Sequence, residues 1–235
     1  MNFAEQLRTI KGNVPKVHQA GFDDGAAAGG GGGDNHYNTF WDAYQQNGNR
    51  TNYSNAFGGV GWTDETFKPK YPIAPVGDTG AENMFYGAAI TEIPEGLLDF
   101  SQVTYCYMPF RQSKLITAPA LNLTNCTQGT NWLFGQCANL KEIKTLTVSE
   151  VVTFTNMVMG CAALEKITFA GTIGQSLSLA WSHLLTNESV QSIIDHLKDL
   201  TGATAQTLTF HATVGEKLTK AQKDAISAMN WTLAY

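Results

Sequence analysis

"MFYGAAITEIP" at residues 84–94, "PFRQSKLITAP" at 109–119, "LFGQCANLKEI" at 133–143 and "VMGCAALEKITF" at 158–169 are variations on one phrase. Its apolar anchors Ile90, Leu115, Leu140 and Leu164 follow one another at intervals of 25, 25 and 24 residues. Three positions after each anchor comes a second small or apolar residue, in turn Ile93, Ala118, Ile143 and Ile167. Upstream of the anchors stand Phe85, Phe110, Phe134 and Val158. A fixed period of this length predicts a solenoid, because one such unit cannot bury its apolar face alone and must stack on its neighbours.

The phrase, an aromatic, then often Cys, then L-x-x-I, resembles the BspA-like subgroup of bacterial leucine-rich repeat proteins. The second unit departs from it, with Gln112 where the later units carry Cys137 and Cys161, and Ala118 in place of Ile. The resemblance implies an α+β chain built on a short leucine-rich repeat β-solenoid, with a helical N-cap and an α/β C-cap. It also implies a surface-displayed recognition or adhesion module, and the family has no shared catalytic residues and no cofactor to carry over.

Working outward, residues 1–24 place Phe3, Leu7, Ile10, Val14 and Val17 alternately four and three apart, a short heptad seam interrupted at Pro15. A homo-trimer through residues 3–17 is the assembly this seam suggests. Residues 25–35 are a Gly-rich linker. Residues 36–83 are dense in aromatics, and the string "FWDAYQQNGNRTNYSNAFGGVGWTDETFKPKYPI" resembles a segment of prophage-encoded leucine-rich repeat proteins of gut Firmicutes. Such rings serve either as a cap over the first, otherwise naked, unit or as a platform that stacks on sugars. Residues 84–171 are the repeats, and 172–235 read as an α/β C-terminal cap. In that last region Val190, Ile193, Ile194 and Leu197 recur at helical spacing, Thr219 with Gln222 makes a capping box, and "NWTLAY" alternates as a strand.

Composition narrows the function classes. The formal net charge of −5, without a basic run, argues against nucleic-acid binding, which requires Lys and Arg to displace counterions from phosphates. No stretch approaches the roughly 20 apolar residues of a membrane span, and the first 20 residues lack a signal peptide pattern. The low charged fraction, 15%, suits a virion, extracellular or cell-surface protein. The five histidines show no metal-ligand spacing, and the four cysteines no C-x-x-C. Cys137 and Cys161 should lie on adjacent coils about 4.8 Å apart, as reduced core thiols or as a disulfide.

In a solenoid the residues between inward-pointing Leu and Ile face out. Glu92, Thr117, Glu142 and Lys166 then form one exposed ladder, and Pro94, Pro119, Lys144 and Thr168 the next. The candidate recognition residues are Glu92, Thr117, Glu142, Lys166 and Lys144 on the repeats, with Trp41, Tyr44 and Trp62 in the aromatic segment. The expected function is non-enzymatic: a phage tail-associated or cell-surface module binding a host surface protein or glycan, with a secreted adhesin as the alternative. A carbohydrate-active enzyme is the alternative from another class, its carboxylates supplied by Asp64 and Glu65 beside Trp62 or by Asp23 and Asp24.

Overall fold

The computed structural model describes residues 51–235 apart from Val60, Thr66, Lys70 and Tyr71. The trimer segment 3–17, the glycine linker and residues 36–50 lie outside the described residues. Within the described part, the chain winds so that each segment lies beside the one about two dozen residues earlier. Every strand pairing is parallel.

Four small sheets result. β1 (Val76–Gly77) pairs with β2 (Gln102–Val103). β3 (Cys106–Tyr107), β6 (Thr130–Asn131) and β8 (Phe154–Thr155) form the second. In the third, β4 (Thr117–Ala118) and β5 (Leu121–Asn122) both pair with β7 (Glu142–Val148), which also pairs with β9 (Lys166–Gly171). The fourth joins β10 (Leu177–Leu179), β11 (Gln206–Phe210) and β12 (Trp231–Ala234). Three helices complete the described elements: α1 (Asn187–Asp195), α2 (Ala212–Gly215) and α3 (Lys220–Ala228).

The periodic residues make the core. Ile90, Leu115, Leu140 and Leu164 are all buried, together with Ile93, Ala118, Ile143 and Ile167. Phe57, Phe85, Phe110 and Phe134 form a file of near-parallel rings with centroids 5.1, 5.4 and 5.2 Å apart. Each fully buried ring contributes about 1.5–3 kcal/mol, and stacking adds roughly 0.5–1.5 kcal/mol per pair. This file holds successive units in one alignment.

Backbone hydrogen bonds between units depend on two left-handed positions per unit. The first is occupied by Asn83, Met108, Trp132 and Asn156, and the second by Gly87, Gln112, Gln136 and Gly160. The left-handed turn aims each N–H along the stack: Asn83, Met108 and Trp132 donate to Tyr107, Asn131 and Thr155 at 3.0, 2.8 and 2.9 Å. Gly87, Gln112 and Gln136 likewise donate to Arg111, Gly135 and Met159.

After the last periodic unit, α1 covers the open edge of β9. Ser189 and Ser192 on α1 accept the N–H groups of Ile167 and Phe169, each at 3.0 Å, the donors that a further strand would otherwise take. Thr186 caps α1, and Thr219 with Gln222 forms a complete capping box on α3. Trp231 is buried and its Nε1 donates to the Lys198 carbonyl at 2.8 Å, tying β12 back to the body.

The leucine-rich repeat β-solenoid expected from the period is corrected by this arrangement. The chain is α+β, with mostly two-residue parallel strands distributed over four small sheets, not one strand per unit in a continuous ladder. The reason lies partly in Pro94 and Pro119, which have no N–H to give to a ladder at their positions. To this sheet the unit holding Pro94 accordingly contributes only an isolated bridge, Glu92↔Thr117, and β4 stops at Ala118. Where Lys144 replaces proline, β7 runs on for 7 residues. The helix expected in the N-cap, with Phe40, Trp41 and Tyr44 on one face, lies outside the described residues, and residues 51–83 hold turns and β1.

Candidate recognition surfaces

The ladder Glu92, Thr117, Glu142 and Lys166 is in register: Glu92 bridges Thr117, Thr117 opposes Glu142, and Glu142 opposes Lys166. Glu92 and Lys166 are exposed, Thr117 and Glu142 half-buried. Parallel pairing sets their spacing at about 4.8 Å. The second expected ladder is not continuous. Pro119 is buried, and a register shift interrupts β7 and β9 just past Ile143. Lys144 instead reaches sideways to Glu95, Nζ to Oε2 3.0 Å. The hydrogen bond to the Glu95 carboxylate holds the Lys144 amine above its usual pKa, with Glu92 and Glu142 adding attraction.

Beside the Glu92 end of this column lies an open cleft of about 640 Å³ lined by residues that include Asp64, Phe67, Thr91 and Pro94. Asp64 serves here as a clamp. Its carboxylate accepts the Thr91 N–H at 2.8 Å and the Thr91 hydroxyl, and reaches the Glu92 N–H at 3.4 Å. It therefore fastens the aromatic segment to the first periodic unit.

Trp62 is not a surface platform. It is 5% exposed and packs edge-on against Phe57 and Phe67, at 5.4 and 6.0 Å between centroids. Its neighbours Tyr53, Phe57 and Phe67 are buried as well, so the rings of this segment roof the end of the phenylalanine file. Trp41 and Tyr44 lie outside the described residues.

All four cysteines are buried free thiols. The Sγ atoms of Cys137 and Cys161 donate to the Phe110 and Phe134 carbonyls at 2.9 and 3.0 Å. The residue of the second unit that faces Cys137 is Ser113, Oγ to Sγ 3.3 Å, not Gln112. Gln112 sits one position earlier and faces Gln136. Burial pushes the Cys137 thiol up to about 11 and Cys161 higher still.

On the turn side of the stack lies a cluster that periodicity did not indicate. Arg111 places its Cζ 4.3 Å from the ring centroid of Trp132 and 5.9 Å from that of Tyr86. Its Nε and Nη2 donate to Gln136 Oε1 at 3.1 and 2.9 Å, Gln112 Nε2 donates to the same oxygen at 2.9 Å, and Nη1 faces Met108 Sδ at 3.3 Å. The signal available in the sequence was the unit's departure from its siblings: Arg111 stands next to Phe110 where the corresponding neighbours of Phe85 and Phe134 are Tyr86 and Gly135.

Among the described residues, no group of three or more His, Cys, Asp or Glu side chains is placed to hold a metal ion, and no helix is long and apolar enough to cross a membrane. No family model, no curated protein and no solved structure matches this chain.

Proposed function

We propose that this chain is a non-enzymatic recognition or adhesion module, carried on a phage tail or a cell surface, that binds a host surface protein or glycan. The observation that carries the reading is the in-register column Glu92, Thr117, Glu142 and Lys166, neighbouring side chains of mixed charge of which three stand on a parallel sheet and Glu92 on an isolated bridge beside it. Rigid strands hold side chains at fixed spacing, which lowers the entropy lost when a partner is bound. The engagement of Asp64 with Thr91 and Glu92 supports the same reading, because a carboxylate used as a clamp is poorly placed to act on a substrate.

The test is incubation of the full chain with a panel of bacterial surface polysaccharides, following both retention and release of reducing ends. Retention without turnover is expected. Turnover abolished by Asp64→Ala or Glu65→Ala would replace this reading with that of a carbohydrate-active enzyme.

A further inference from the structure

The two left-handed positions are not filled alike along the stack. The outer units use Asn83 and Asn156 at the first and Gly87 and Gly160 at the second, the residue types that tolerate positive φ best. The two central units instead place Met108 and Trp132 at φ +55° and +56°, and Gln112 and Gln136 at +60° and +62°. These four unfavoured residues are the ones that surround Arg111. Local backbone strain, repeated at four positions and converging on one guanidinium, marks a site where side chains matter more than turn propensity.

The geometry also states what Arg111 is prepared for. Of its five N–H donors, Nε–H and one on Nη2 go to Gln136, and one on Nη1 faces Met108. The two that remain, one on each Nη, form the parallel end of the fork, which matches a carboxylate. Arg111 takes part in no ion pair among the described residues, in a chain whose formal net charge is −5. Gln136 and the Trp132 face fix the plane of the fork before a ligand arrives.

We propose that Arg111, aimed by Gln136 and Trp132, is a binding site for a carboxylate-bearing glycan: the fork takes the carboxylate and the half-buried Tyr86 ring beside it takes the apolar face of the sugar. A peptide is the weaker fit, because β6 is paired on both sides by β3 and β8 and offers no strand edge to extend. This site rests on the recognition reading above and names a ligand class for it on a second face.

The experiment is calorimetric titration of the full chain with four probes: a galacturonic acid tetramer, its methyl ester, a sialic acid-terminated trisaccharide, and a Glu-rich peptide. Binding of either acidic sugar is expected, and the one that binds distinguishes a uronate from a sialate source. Esterification and Arg111→Lys, which keeps the charge but loses the fork, should each weaken binding about tenfold or more. Gln136→Gly, at a backbone favourable to glycine, removes the oxygen that aims the fork and should also weaken binding. It decides the matter if Arg111→Lys does not fold. Equal affinity for ester and acid, or variants that bind as the parent does, would overturn the site, as would failure to bind either acidic sugar or tighter binding of the Glu-rich peptide. Cell retention that survives both variants would overturn this site alone, whereas a parent chain retained on no cell or polysaccharide would overturn the recognition reading beneath it.

Discussion

At the scale of single residues, the stack separates positions that hold the fold from positions that strain it. Leu140 belongs to the first kind, with no exposed surface at the centre of the core. Leu140→Asp should leave no cooperative thermal transition, because an unpaired buried charge costs several kcal/mol. Trp132 belongs to the second. Trp132→Asn returns the turn to the residue its sibling units use, offsetting the lost ring contacts by relief on the order of 1 kcal/mol. Urea unfolding should place this variant within about 1 kcal/mol of the parent, and a loss above about 2 kcal/mol would mean that the ring is structural. The buried thiols give a pH dependence of definite sign. A thiol whose folded pKa is raised stabilises the fold fully below its unfolded value of about 8.5, and that contribution is lost as pH rises toward the folded value. With Cys137 pushed up to about 11, the urea midpoint should fall from about pH 8.5 to 11. Cys137→Ala should flatten that fall, and an unchanged slope would show that Cys137 does not titrate there.

At the scale of elements, the residues that end a strand or begin a helix carry the sharpest dependence. Gly171 ends β9 at φ +82°, and a Cβ there would lie 2.0 Å from the Val148 carbonyl oxygen. Gly171→Ala must therefore displace backbone on β7 and should cost at least 2 kcal/mol, roughly the upper part of the range for a strained turn. Thr219→Ala, which removes the cap of α3, should cost about 1 kcal/mol, with the loss read from the same unfolding curves. Both sites could be read in the sequence in part. The capping box was legible because its spacing is fixed by local geometry. The division of the periodic region among separate small sheets was not, since the period fixes which residues meet but not whether the segments between them stay extended. Pro94, Pro119 and the left-handed residues decide that, through donors and torsions that hydrophobic spacing does not record. Ser189 and Ser192 closing the edge of β9 were hidden for a similar reason, as serines on the buried face of a helix read from sequence as interruptions.

At the scale of the whole molecule, long-range pairing at a near-constant offset builds side-chain columns, and these are the faces proposed to meet a partner. The register of Glu92, Thr117, Glu142 and Lys166 was legible because it follows directly from the period. The Arg111 cluster was not, because it depends on departures from the period, and Trp62 was misassigned because an aromatic in sequence does not declare whether it faces solvent or core. The central claim is that these faces recognise a cell surface. Its most direct test is saturation binding of the fluorescently labelled full chain to a panel of whole bacterial cells, comparing the parent with a variant carrying Glu92→Lys, Glu142→Lys and Lys166→Glu. Saturable binding by the parent that weakens at least about tenfold in the folded triple variant is the predicted result. Absence of saturable binding by the parent, or identical binding by the two proteins, would contradict the assignment of that column as a recognition surface.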